Sequence, residues 1–193
     1  REYYSGLPEI MKYGLIKKNS IFKNLKKDKN LIDNRDFNFL TKLISESLKT
    51  KIHFFSKDVY EKEKRLALNF GHTFAHAIEM ATQNFFKKEV FRHGEAVGLG
   101  ILCELYYANK GKSKILFETE KLLNKYNLPT RILKNKIKDY QKIHNEIYNF
   151  VFVDKKKIGK FPRYIYLKKR GFPKIKPVDD FNLINESISN FLY

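Results

Sequence analysis

Apolar residues return at every third or fourth position through most of this chain, and that period commits it to helices. In the first eighteen residues Leu7, Ile10, Met11, Leu15 and Ile16 keep the spacing; Ser5 or Gly6 can cap this helix and Pro8 suits its first turn. Phe39, Leu40, Leu43, Ile44 and Leu48 keep it across 37–55. A strongly apolar helix is expected from Gly94 to about Asn109, ended by Gly111, and another over 115–126, stopped by Asn127-Leu128-Pro129-Thr130. Residues 131–150 read as an amphipathic helix and 181–191 as a closing one, whereas 19–36 and 83–92 are polar and read as loops. Extended structure is expected only around 148–167, where a lysine run leads to Arg163-Tyr164-Ile165-Tyr166-Leu167. With no repeat and no strand–helix alternation, the fold class is mainly α with at most a small β element, in one domain over residues 1–193.

Charge and cysteine usage narrow the function. The formal net charge of +18 invites a nucleic-acid reading. However, the lysines are spread from Lys12 to Lys176, without helix-turn-helix spacing, a zinc-finger cysteine pair or a Lys/Arg-Gly-Phe platform. What survives is a preference for small anionic substrates. The single Cys103 lies in an apolar helical pattern, fits buried packing, and cannot form an internal disulfide, so a reducing cytoplasm is the expected setting. No apolar run approaches the roughly 20 residues that span a bilayer. Arg1-Glu2-Tyr3-Tyr4 carries neither an initiator Met nor a signal core, as expected of a soluble segment of something longer.

Residues 58–82 hold the most chemistry. On one ideal helix, turning about 100° per residue, Glu61, Arg65, Asn69, His72, His76 and Glu79 fall within an arc of roughly 80°. A merely solvated face would be built from Lys and Glu. Gly71 within the segment costs about 1 kcal/mol relative to Ala in a helix, which points to close approach by a backbone or ligand. Glu9 and Lys12, three apart, share a face of the first helix, and His93-Gly94-Glu95 opens the apolar helix. One carboxylate and two imidazoles from separate segments would meet the three-ligand count of a catalytic zinc site, although spacing alone leaves structural roles open. His53 and His144 have no such context.

These segments resemble the 3-dehydroquinate synthase family of sugar phosphate cyclases. Ser5-Gly6-Leu7-Pro8-Glu9-Ile10-Met11-Lys12-Tyr13-Gly14 is similar to the family's carboxylate-ligand segment. Leu68-Asn69-Phe70-Gly71-His72-Thr73-Phe74-Ala75-His76-Ala77-Ile78-Glu79 is similar to its central signature, and His93-Gly94-Glu95-Ala96-Val97 to its third-ligand segment. Lys51 and Asp154-Lys155-Lys156 fall where the family has basic substrate contacts. The resemblance implies the helical C-terminal domain of a dehydroquinate synthase-like, metal-dependent alcohol dehydrogenase-like fold, lacking its N-terminal NAD-binding domain. It implies Zn²⁺ (or Co²⁺) on Glu9, His72 and His93, and substrate contacts from Lys12, Lys51, Arg65, Asn69, His76 and one of Lys155 or Lys156. NAD⁺ would be the second cofactor and a homodimer the assembly. The implied activity is a carbon–oxygen lyase of the shikimate pathway, taking 3-deoxy-D-arabino-heptulosonate 7-phosphate to 3-dehydroquinate and phosphate, with this segment inactive alone. A sister cyclase using sedoheptulose 7-phosphate or a hexose phosphate, a related alcohol or glycerol dehydrogenase, and an inactive anion-binding or assembly domain are the alternatives.

Overall fold

In the computed structural model, residues 1–60, 63–133, 138–152, 157–158 and 161–193 are described. The order is α1 (Glu2–Ser5), α2 (Leu7–Ile16), α3 (Ile21–Lys27), α4 (Lys29–Asp33), α5 (Phe37–Phe55), a 3-10 turn (Lys64–Asn69), α6 (His72–Phe86), α7 (His93–Ala108), α8 (Lys114–Lys125), α9 (Tyr140–Val151), β1 (Lys157–Ile158), β2 (Phe161–Tyr166), β3 (Lys174–Pro177) and α10 (Phe181–Asn190). The expected mainly α class is what forms. The strands make one small antiparallel sheet in the order β1-β2-β3, with Ile165 opposite Ile175.

The centre is α7. Its residues from Gly94 to Leu105 are all buried, as expected of a helix that is apolar on nearly every side. It packs against α1, α2, α6, α8, α10 and β2. Cys103 is wholly buried there and burial pushes its thiol pKa up, so it behaves as a small core residue. Asp36 and Ser113 cap α5 and α8, each side chain accepting a backbone N–H. Among the described residues no helix is long and apolar enough to cross a membrane.

Four expectations need correction. The polar stretch 19–36 is not a loop: it folds into α3 and α4 because Ile21, Phe22, Leu25 and Ile32 are fully buried. Residues 83–92 are loop only from Lys87 onward, since α6 continues to Phe86. Most importantly, 58–82 is not one helix. The 3-10 turn ends at Asn69, Phe70 is extended, and Gly71 takes φ +84 before α6 begins. The close approach expected at Gly71 is by backbone: a Cβ there would meet Ile101 Cγ1 at 2.6 Å and Ile101 N at 2.9 Å. Gly100 is the counterpart on α7, where a Cβ would lie 2.0 Å from the Gly71 carbonyl oxygen. In 131–150 the helix starts only at Tyr140, while Ile132 N and Leu133 N donate to the carbonyls of Phe191 and Leu192. Glu61, Asp154, Lys155 and Lys156 lie outside the described residues.

Candidate metal and substrate site

Three helices deliver the titratable cluster. Glu9 and Lys12 come from α2, His72, His76 and Glu79 from the start of α6, and His93 is the first residue of α7. Gly94 makes the approach possible: a Cβ there would fall 1.6 Å from the Ser5 carbonyl oxygen, so the α1–α2 junction rests directly on α7. Glu95 holds that end in place. It accepts from Arg92 N at 3.0 Å and takes Arg1 in a fork, Nε at 2.9 Å and Nη2 at 2.6 Å. Burial pushes the Glu95 carboxyl pKa up, but Arg1 and the Arg92 N–H outweigh it, and the net shift is downward.

Glu9, His72 and His93 present ligand atoms within 4.8 Å of one another. The His72 and His93 ring centroids are 5.4 Å apart, and that of His76 lies 5.7 Å from His72 and 6.0 Å from His93. His76, Glu79 and His93 form a second group that meets the same spacing. Glu9 Oε2 accepts from Lys12 Nζ at 2.6 Å, whereas Glu9 Oε1 is buried with no hydrogen-bond donor. His72 Nε2 lies 3.3 Å from that oxygen. With His72 Nδ1 donating to the Phe70 carbonyl at 3.3 Å, the neutral ring leaves Nε2 without a proton to give. Burial, then the charge of Lys12, hold the His72 pKa down to about 4, so the ring is neutral near pH 7. Two lone-pair atoms therefore face each other across 3.3 Å, a repulsive pairing that a cation between them relieves. The donor set fits a divalent metal of the zinc class.

The substrate-side candidates divide. Lys12 is buried at 3% exposure, and burial lowers its pKa against the opposing pull of Glu9. Lys51 is exposed on α5 and touches this cluster through its field on Lys12. A cleft of about 40 Å³ opens beside His72, lined by Asn69, His76, Leu66, Thr73, Ile165 and Arg163. Arg65 is not among the lining residues; its guanidinium donates to the Val59 carbonyl at 2.7 Å and lies 4.7 Å from the Phe55 ring centroid. The sequence reading missed Arg163 as a site residue. It sits on β2, and no helical spacing ties it to α6; only the three-dimensional return of the sheet brings it to the cleft.

Comparison with known proteins adds an independent view. The family model described as "3-dehydroquinate synthase C-terminal" matches residues 6–157. The 3-dehydroquinate synthase of Dictyoglomus thermophilum is 44% identical over 110 residues, 57% of this chain and 30% of that protein. The one from Prochlorococcus marinus strain MIT 9515 is 34% identical over 192 residues, 97% of this chain and 48% of that protein. A solved 2-deoxy-scyllo-inosose synthase, complexed with carbaglucose-6-phosphate, NAD⁺ and Co²⁺, superposes with a TM-score of 0.73 at 25% identity, covering 100% of this chain and 52% of that one. A Streptomyces hygroscopicus 2-epi-5-epi-valiolone synthase with NAD⁺ and Zn²⁺ bound has a TM-score of 0.70 at 18% identity and so speaks for the fold. The chain thus spans about half the length, or less, of the relatives it matches.

Proposed function

This chain belongs to the 3-dehydroquinate synthase family, and from that premise we propose that it forms the metal- and substrate-binding half of an enzyme converting 3-deoxy-D-arabino-heptulosonate 7-phosphate to 3-dehydroquinate and phosphate. The observation that carries the reading is the donorless pairing of Glu9 Oε1 with His72 Nε2, beside His93. Glu9, His72 and His93 would hold Zn²⁺ or Co²⁺, and an NAD-binding half, for which the relatives' further length has room, would hold NAD⁺. When bound, the ion supplies Lewis acidity toward the substrate's vicinal hydroxyls and NAD⁺ a reversible hydride acceptor.

The chain's own groups then bind and orient. Lys12, an ammonium lodged where charge is costly, gains from a substrate oxyanion beside it. Asn69 and His76 on the cleft wall donate hydrogen bonds to phosphate or hydroxyl oxygens, and Arg163 adds a guanidinium fork to the same wall. Arg65 would grip the substrate carboxylate bidentately, with Lys51 and one of Lys155 or Lys156 neutralising further negative charge. A homodimer in the cytoplasm is the setting this reading carries, and this half separated from an NAD-binding half would be inactive.

Phosphate release by the full-length protein tests it, with the heptulosonate phosphate, sedoheptulose 7-phosphate and a hexose phosphate compared. Release from the first is expected. His72→Ala should abolish it together with metal content, while Arg65→Ala should keep the metal and raise KM about tenfold or more. Turnover of sedoheptulose or hexose phosphate alone would replace this reading with a sister cyclase, which the 2-deoxy-scyllo-inosose synthase likeness makes the second choice. Turnover of none would leave an anion-binding or assembly domain.

A further inference from the structure

Glu79 has no part in the scheme so far, yet its Oε1 stands 3.2 Å from His93 Nδ1, bridging α6 to the first residue of α7. An ionised carboxylate only accepts hydrogen bonds, so in that contact Nδ1 carries the ring proton and Nε2 keeps the lone pair. His72 is arranged the same way, its Nδ1 committed to the Phe70 carbonyl. The two imidazoles of the proposed ligand set thus each have one nitrogen fastened to an oxygen acceptor, one by backbone and one by side chain. The backbone acceptor travels with its own histidine, two residues away. Glu79 instead belongs to a different helix from His93, whose side chain is 52% exposed and whose ring otherwise meets the His72 and His76 rings, at 5.4 Å and 6.0 Å between centroids.

We propose that Glu79 is a positioning residue: it selects the Nε2 lone-pair tautomer of His93, fixes the ring's direction and strengthens it as a donor to the metal. This rests on Glu9, His72 and His93 being the metal ligands. Outer carboxylates that hold a ligand histidine are worth about 10–100-fold in metal affinity when removed. The same carboxylate is also one corner of the His76, Glu79 and His93 group, so a direct ligand role at a second ion is the competing assignment. The tautomer of His93 separates them, because a nitrogen that donates its proton to Glu79 cannot also ligate an ion.

Co²⁺ titration of the full-length protein, followed by its visible absorption and by chelator competition, decides between these. Wild type should bind one Co²⁺, and His72→Ala should lose it. Glu79→Ala should still bind one, about 10–100-fold more weakly and with an altered visible spectrum. Glu79→Gln, which keeps an acceptor oxygen without the charge, should fall between. Circular dichroism of both variants guards against misfolding, and the isosteric Gln variant carries the test if the Ala variant does not fold. Wild-type affinity and spectrum in both variants would overturn the positioning role while leaving the metal site intact. Two equivalents in wild type, falling to one in Glu79→Gln, would overturn it in favour of a second ion. No Co²⁺ binding by wild type, or unchanged binding by His72→Ala, would defeat the ligand assignment itself and this inference with it.

Discussion

His72 is held neutral by its surroundings before any ligand arrives. Burial is the main cause, Lys12 adds to it, and the pKa of about 4 lies well below the usual 6.5. The sign follows from proton binding: between those values the unfolded chain takes up a proton that the folded chain refuses, so acid favours unfolding. The stabilising contribution is therefore complete above about pH 6.5 and is lost as pH falls toward about 4. Metal-free protein should lose denaturant midpoint through that window, and His72→Gln, which has nothing to titrate there, should flatten the loss. An equally steep acid slope in His72→Gln would assign the titration to another group. The residue types were legible at this scale. Glu, His and Lys at a cluster of separated positions announced metal and anion chemistry, and Glu9, Lys12, His72 and His93 do meet. Arg163 was illegible because an arginine in a strand has no periodic partner to mark it.

At the level of elements, periodicity recovered whatever was long and apolar. Residues 37–55 form one helix as read, and the helices begun near 93 and 114 fall within a residue or so. It failed where a single residue changes the backbone. The spacing of Arg65, Asn69, His72, His76 and Glu79 suits one helix, yet Gly71 at φ +84 breaks it, and the helical register across the break was a coincidence of polar positions. It failed again at α3 and α4, where Ile21, Phe22, Leu25 and Ile32 are too few among lysines and asparagines to show a period. Glycines that permit close packing are the hidden determinant of the site. At Gly94 an added methyl would overlap the Ser5 backbone, whereas at Gly98 it would meet only the Leu123 side chain at 3.2 Å and Pro8 at 3.4 Å. Gly94→Ala should therefore push α2 off α7, costing about 1–3 kcal/mol or more and weakening metal binding by moving Glu9 from His93. Gly98→Ala should be far milder in both respects. Thermal melts and metal titrations on the two variants measure this, and equal behaviour would mean that the Ser5–Gly94 contact does not set the site.

On the scale of the whole molecule, the proposed ligands join parts of the chain that are distant in sequence. Glu9 lies on α2, His72 opens α6 and His93 opens α7, the helix around which the rest is packed. An ion clasped by all three ties α2 to the central helix pair, and the unfolded chain cannot reproduce that arrangement. Binding to the folded state alone stabilises by RT ln(1 + [L]/Kd), about 2.7 kcal/mol at a hundredfold excess over Kd. For a domain of 150–250 residues each kcal/mol moves Tm by about 2–4 °C. Zn²⁺ or Co²⁺ at such an excess should thus raise the melting temperature by about 5–11 °C, and a chelator should reverse the gain. His72→Ala removes one of the proposed ligands and should abolish the response. Lys12→Met probes the neighbouring charge: it removes the salt bridge to Glu9 Oε2 but leaves Oε1 in place, so the metal-dependent rise should persist. A rise of the same size in His72→Ala would mean that the ion acts elsewhere on the molecule, and the three-helix clasp would have to be abandoned.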